Sequence, residues 1–151
     1  YIKMKQGFCY LTAFLDWYSR FVLSWNLSIT LETDFCLEAA KEAVNRFGVP
    51  EIINEDQESQ NTDHVMTSFW ERRNVRISMD SRGRALDNIF TERLWRSLKY
   101  EEVYLKEYAT VLDAKENIGN YFKFYNYERK HQALNYKTPA EIYFRKEGNL
   151  V

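Results

Sequence analysis

The apolar residues of this chain change period repeatedly as far as Met79 and keep a helical period over most of the remaining length, so α and β elements must share one core. Phe8 to Asp16 (FCYLTAFLD) and Arg20 to Thr30 (RFVLSWNLSIT) are rich in aromatic and β-branched residues. Only Trp17-Tyr18-Ser19 separates them, which predicts a hairpin. Thr33 to Phe47 places Phe35, Leu37, Ala40, Val44 and Phe47 at near-helical spacing, with Gly48 and Pro50 closing the helix. Glu51 to Glu55 (EIINE) reads as a short strand. Thr62 to Arg73 reads as a helix with Val65, Met66, Phe69 and Trp70 on one face, and Val75 to Met79 as another strand. Beyond the polar loop Asp80 to Ala85, Asp87 to Tyr104 predicts a helix burying Ile89, Phe90, Leu94, Trp95 and Leu98. A second helix, about Tyr108 to Glu128, carries Leu112, Ile118, Phe122 and Tyr125. Asn126 to Thr138 is polar and irregular, and Thr138-Pro139 then caps and opens a final short helix. The order β-β-α-β-α-β, continued by helices, predicts a domain of one mixed sheet flanked by helices.

A chain of 151 residues suits a single domain with a well-buried core. At 45% hydrophobic and 28% charged residues, with five Gly and two Pro, its composition argues against disorder. No apolar run approaches the roughly 20 residues that span a bilayer, and no secretory signal pattern opens the chain. Cys9 and Cys36 lie in apolar stretches and are expected to be buried free thiols. Together these features predict a cytosolic protein. Trp70 and Trp95 are expected in the core, and His64 on the surface.

The net charge of −1 hides an asymmetry. Glu32 to Asp63 holds nine acidic and two basic residues, whereas Glu71 to Tyr100 holds eight basic and four acidic. An acidic face beside a basic one can hold a divalent cation next to a polyanion, or can simply be two solvated surfaces. Within these regions Asp56 follows the EIINE strand and Glu92 lies in the helix DNIFTERLWRSLK, with 35 residues between them. A strand-end Asp and a helical Glu converge when the helix crosses the strand's carboxyl edge. Mg²⁺ takes such hard oxygen ligands, and two metals about 4 Å apart would activate an attacking oxygen and stabilise a leaving one. Arg96 and Lys99, four and seven positions after Glu92, share its face. Spacing alone leaves open an ordinary i,i+4 ion pair between Glu92 and Arg96.

Four ordered motifs reduce this ambiguity: LDWYSRFVLSW (Leu15 to Trp25), DQESQNT (Asp56 to Thr62), RGRALDNIFTERLWRSLK (Arg82 to Lys99) and YNYERKHQALNYKTPAEIY (Tyr125 to Tyr143). Together they resemble the transposase core of bacterial insertion sequences, of the retroviral-integrase (DDE) type. The resemblance spans essentially the whole chain. It implies an α/β, ribonuclease-H-like fold, with residues 1–104 as the catalytic core and 105–151 as a helical carboxyl-terminal extension of the same domain. It further implies metal-dependent DNA strand cleavage and strand transfer with Mg²⁺ or Mn²⁺ at a two-metal site. Asp56 and Glu92 fall at the second catalytic Asp and the catalytic Glu. Arg84, Arg96, Lys99, Arg129 and Lys130 are implied DNA contacts. Transposon ends and target DNA are the implied partners of a homo-oligomer in the bacterial cytoplasm, at the nucleoid.

The match has departures. The first catalytic Asp of this family belongs to a motif similar to DITYI, and Tyr1-Ile2 resembles the tail of that motif, so the chain as given is expected to lack this residue. Asp16 belongs instead to the family's D-x-Y-S-R signature, at a strand end where Asp commonly holds a turn, and is expected to be structural. The second motif usually reads TDQGSQ followed by an aromatic residue, Thr and Ser. Here Glu55, Glu58, Asn61 and Asp63 replace family residues, and three of these changes add negative charge around Asp56. If the family Gly at position 58 is left-handed, Glu58 costs roughly 1–2 kcal/mol. A catalytically incomplete core is therefore expected, with a non-catalytic nucleic-acid-binding remnant as the alternative.

Overall fold

A computed structural model describes residues 1–5, 7–30, 33–55, 64–79 and 89–148. Strands β1 (Ile2–Lys3), β2 (Phe8–Leu15) and β3 (Val22–Ser28) precede helix α1 (Thr33–Phe47). Strand β4 (Ile52–Glu55), helix α2 (His64–Glu71) and strand β5 (Arg76–Met79) come next. Helices α3 (Ile89–Glu101), α4 (Val111–Tyr127) and α5 (Pro139–Gly148) complete the order, joined by 3₁₀ turns at Val103–Leu105 and Gln132–Leu134. No helix among the described residues is long and apolar enough to cross a membrane.

β1, β2 and β3 form an antiparallel sheet in that order, with Ile2 opposite Cys9 and Ala13 opposite Trp25. β4 and β5 run parallel, from Ile52 opposite Arg76 to Glu55 opposite Met79, joined through α2 as parallel strands require. Parallel and antiparallel pairing both occur as expected. Among the described residues, however, they fall into two sheets, because β1 is only two residues long and carries no ladder on its far side.

The period of two along β2 divides the core. Cys9, Leu11, Ala13 and Leu15 face the cluster containing Leu94, Leu98, Ile118, Phe122 and Tyr125 from α3 and α4. Tyr10 and Phe14 face the opposite cluster of Phe35, Ala39, Ala40 and Ala43 on α1 with Met66, Phe69 and Trp70 on α2. Sheet between helices is thus the architecture. Three alanines let α1 approach β3 closely enough for the Ser24 hydroxyl to donate to the Ala39 carbonyl at 2.6 Å. Gly48, with φ +90°, ends the helix as expected, its N–H donating to the Val44 carbonyl. Cys9 and Cys36 are buried and form no disulfide, Trp70 is buried, Trp95 is half-buried against the core and His64 is exposed.

Two details differ from the sequence reading. α4 begins three residues after the expected Tyr108. The Thr110 hydroxyl accepts from the Asp113 N–H, and the Asp113 carboxylate accepts in return from the Ala109 N–H. Tyr108 instead forms a bridge to Met4 and is buried. The inward stripe of α4 is then Ala114, Ile118, Tyr121, Phe122 and Tyr125, which leaves Leu112 outside at 75% exposure. Val65 on α2 is likewise exposed, while its neighbour Met66 is buried.

Candidate functional site

Successive residues of a helix turn by about 100°, and α3 uses this to separate two faces. Leu94 and Leu98 are buried against the sheet. Glu92, Arg96 and Lys99 lie on the opposite stripe, Glu92 and Arg96 exposed and Lys99 half-buried. Glu92 stands in the first turn, where the helix dipole favours a carboxylate. The ion pair with Arg96 that spacing allowed is not formed. Arg96 instead lies over the Tyr100 ring, 5.5 Å from its centroid. Among the described residues the Glu92 carboxylate has no hydrogen-bond or ion-pair partner.

The other two acids at this helix are saturated. Glu101 accepts a forked pair of bonds from Arg129, Nε at 2.8 Å and Nη2 at 2.7 Å, and a third from the Tyr121 hydroxyl at 2.9 Å. Arg129 and Tyr121 hold the Glu101 carboxyl below the usual carboxylate range, against the opposing effect of burial. Glu102 is 5% exposed and takes the Tyr108 hydroxyl at 2.5 Å and the Lys106 ammonium at 3.0 Å. Both tyrosines titrate well above their ordinary range, through burial first and the adjoining carboxylate second. Burial and the neighbouring Arg129 push His131 down to about 4, so its ring is neutral at pH 7.

The amino end of α3 meets the β2–β3 hairpin. Asp16 acts there as a turn residue: its Oδ2 accepts from the Ser19 N–H at 3.0 Å and the Ser19 hydroxyl at 2.6 Å. Arg20 takes φ +66°, donates to the Trp17 carbonyl and lays its guanidinium 3.7 Å over the Phe90 ring. Trp17 packs on the same ring, with centroids 5.7 Å apart. The D-x-Y-S-R signature therefore builds a turn that seats the helix carrying Glu92.

Asp56 follows the last residue of β4 and lies outside the described residues, as do Glu58, Asn61, Asp63 and Arg84. β4 and β5 end level with each other, at Glu55 and Met79. Among the described residues no group of three or more acidic, His or Cys side chains is placed to hold a metal ion. Of the basic residues singled out, Arg96 and Lys99 accompany Glu92, Lys130 is exposed, and Arg129 is engaged by Glu101.

Sequence reasoning passes over Glu101, Arg20 and Asn126. By composition Asn126 opens a polar, irregular segment, yet it lies in the last turn of α4 and is buried. Its amide accepts from the Val22 N–H at 2.8 Å and donates to the Val22 carbonyl at 3.0 Å, which closes the free edge of β3. A polar residue among the apolar positions of the YNYERKH motif is the available signal.

Two family models described as "Integrase core domain" match the chain, one over residues 1–85 and one over residues 73–139. The transposase for insertion sequence element IS904 of Lactococcus lactis subsp. lactis (strain IL1403) is 30% identical over 147 residues, covering 94% of this chain and 57% of that protein. Transposase InsF for insertion sequence IS3A of Escherichia coli (strain K12) is 27% identical over 145 residues, covering 94% and 50%. The chain thus spans about half the length of the curated relatives it matches. The structure titled HTLV-2 integrase catalytic core domain in complex with magnesium (trimeric form) superposes with a TM-score of 0.69 at 17% identity, over 94% of this chain and 90% of that one. The dimeric form gives 0.60 at 16% identity, over 91% and 85%. This likeness bears out the expected ribonuclease-H-like α/β fold.

Proposed function

The chain belongs to the integrase core domain family, and from that premise we propose that it is the core of an insertion-sequence transposase, built for metal-dependent cleavage and joining of DNA. One observation carries the reading. Of the three described acids on or next to α3, Glu101 and Glu102 are bound by protein partners, whereas Glu92 is exposed and, among the described residues, without a partner, beside Arg96 and Lys99. A hard oxygen donor on a helix, unpaired among the described residues and with cations further along its stripe, fits a divalent cation and then the phosphates beside it.

Glu92 and Asp56 would hold Mg²⁺ or Mn²⁺, which when bound activates the attacking oxygen and stabilises the leaving one. The chain's own contribution is placement. The first turn of α3 presents the Glu92 carboxylate, Arg96 and Lys99 orient the phosphate backbone, and Lys130 and Arg84 are kept as further phosphate contacts on the resemblance alone. The DNA partners and homo-oligomeric assembly implied by the resemblance belong to the same proposal. So do the two-part division at residue 104 and the bacterial cytoplasmic, nucleoid-associated setting.

Salt dependence tests the DNA track. Each neutralised phosphate releases counterion, so the double variant Arg96→Ala with Lys99→Ala should lower the slope of log affinity against log salt by about two units. An unchanged slope would place DNA elsewhere. Any Mn²⁺-dependent nicking of supercoiled plasmid must vanish in both Asp56→Asn and Glu92→Gln. Nicking that survives both overturns the assignment, while DNA binding without any response to metal favours a core that binds without cutting.

A further inference from the structure

We propose that Arg129 is a positioning residue, which through Glu101 fixes the roll of α3 and so the direction in which Glu92 is presented. The proposal rests on the reading of Glu92 as a metal ligand. Glu101 follows Glu92 by nine positions, which at about 100° per residue puts it on the opposite side of the helix, and about 13 Å along the axis. It lies at the margin of the apolar stripe of Leu94 and Leu98. Burial of one apolar stripe sets the roll of a helix only coarsely, since the hydrophobic effect is non-directional. A forked guanidinium–carboxylate pair is directional, and here it supplies that angle.

The anchor behind the pair is itself fixed. The Arg129 N–H donates to the Phe124 carbonyl at 2.8 Å, locking the residue onto the carboxyl end of α4. Its Nη1 lies 3.3 Å from the His131 ring, and that ring packs edge-on against Tyr125 with centroids 5.0 Å apart. The His131 N–H donates to the Lys137 carbonyl, tying in the segment that leads to α5. Tyr121, on α4, donates to the same carboxylate. α3 is thus held at one end by Trp17 and Arg20 on Phe90, and at the other by Arg129 and Tyr121 on Glu101. The hairpin motif and the carboxyl-terminal YNYERKH motif, far apart in sequence, meet the two ends of the helix between them.

Amide hydrogen exchange read by mass spectrometry on the full chain separates positioning from phosphate contact. Arg129→Ala should raise exchange across α3, including its first turn around Glu92, by about tenfold, with α1 little changed. Arg129→Lys should fall between, because an ammonium keeps the charge but not the fork. The reversed pair, Glu101→Arg with Arg129→Glu, should restore most of the protection. Tyr121→Phe provides a milder variant should Arg129→Ala not fold. The salt slope for DNA should be unchanged in Arg129→Lys and in the reversed pair. Uniformly faster exchange in α1 and α4 as well, or no recovery in the reversed pair, overturns the proposal. A slope lowered by about one unit in the reversed pair, with α3 protection intact, makes Arg129 a phosphate contact instead. If the wild-type chain binds no DNA, the functional reading fails, and the exchange pattern still decides the role of Arg129.

Discussion

The two ends of α3 carry the same residue type in opposite circumstances. At the amino end Glu92 is exposed, without a partner among the described residues, and favoured by the helix dipole. At the carboxyl end Glu101 and the adjoining Glu102 sit where that dipole disfavours them, and each is compensated by cations and tyrosine hydroxyls. The difference teaches how one helix divides its work. Carboxylates placed against the dipole are tied down and hold structure, while the carboxylate placed with it has no partner among the described residues, as the proposed metal ligand requires.

The comparison sharpens under substitution. Leu98→Ala, at a fully buried position between the two ends, should cost about 2–5 kcal/mol in urea unfolding, because the cavity adds to the lost transfer energy. Tyr108→Phe leaves the buried Glu102 with one partner fewer and should cost about 1–3 kcal/mol. Glu92→Gln removes no described contact and should stay within about 0.5 kcal/mol of wild type. A Glu92→Gln variant as unstable as Tyr108→Phe would mean that the open end is structural after all.

The carboxyl end also predicts an acid response. His131 titrates near 4 in the fold against an ordinary value of 6.5, so between those values the unfolded chain binds the extra proton and stability falls as pH falls. Glu101, held low by Arg129, acts in the same direction, its contribution being lost as pH drops through its folded value. His131→Gln should therefore flatten the loss of stability between pH 6.5 and 4. The change should be smaller than that from Tyr108→Phe, because His131 is only half-buried. An unchanged profile would show that another group governs the acid response.

Much of this arrangement is legible in the sequence because it is local. Period-two and helical spacings mark β2, β3, α1 and α3, and the D-x-Y-S-R turn announces Asp16 as a turn residue. The helical period fixes a face only loosely at helix ends, so Leu112 and Val65, inward by periodicity, lie outside. The role of Arg129 is not legible: its carboxylate partner is 28 residues away, and a basic residue in a polar motif reads equally well as a DNA contact. Asn126 reaches 104 residues back to Val22, a pairing that no local pattern encodes.

The contrast between Glu92 and Glu101 is tested most directly by Mn²⁺. Added to the ¹⁵N-labelled chain in the millimolar range, Mn²⁺ should broaden amide signals in the first turn of α3 and at the end of β4, as hard oxygen ligation requires. The broadening should disappear in Glu92→Gln. It should persist in Glu101→Gln, whose amide oxygen still accepts from Arg129 and Tyr121. Broadening that survives Glu92→Gln, or that is lost only in Glu101→Gln, would contradict the division of roles along this helix.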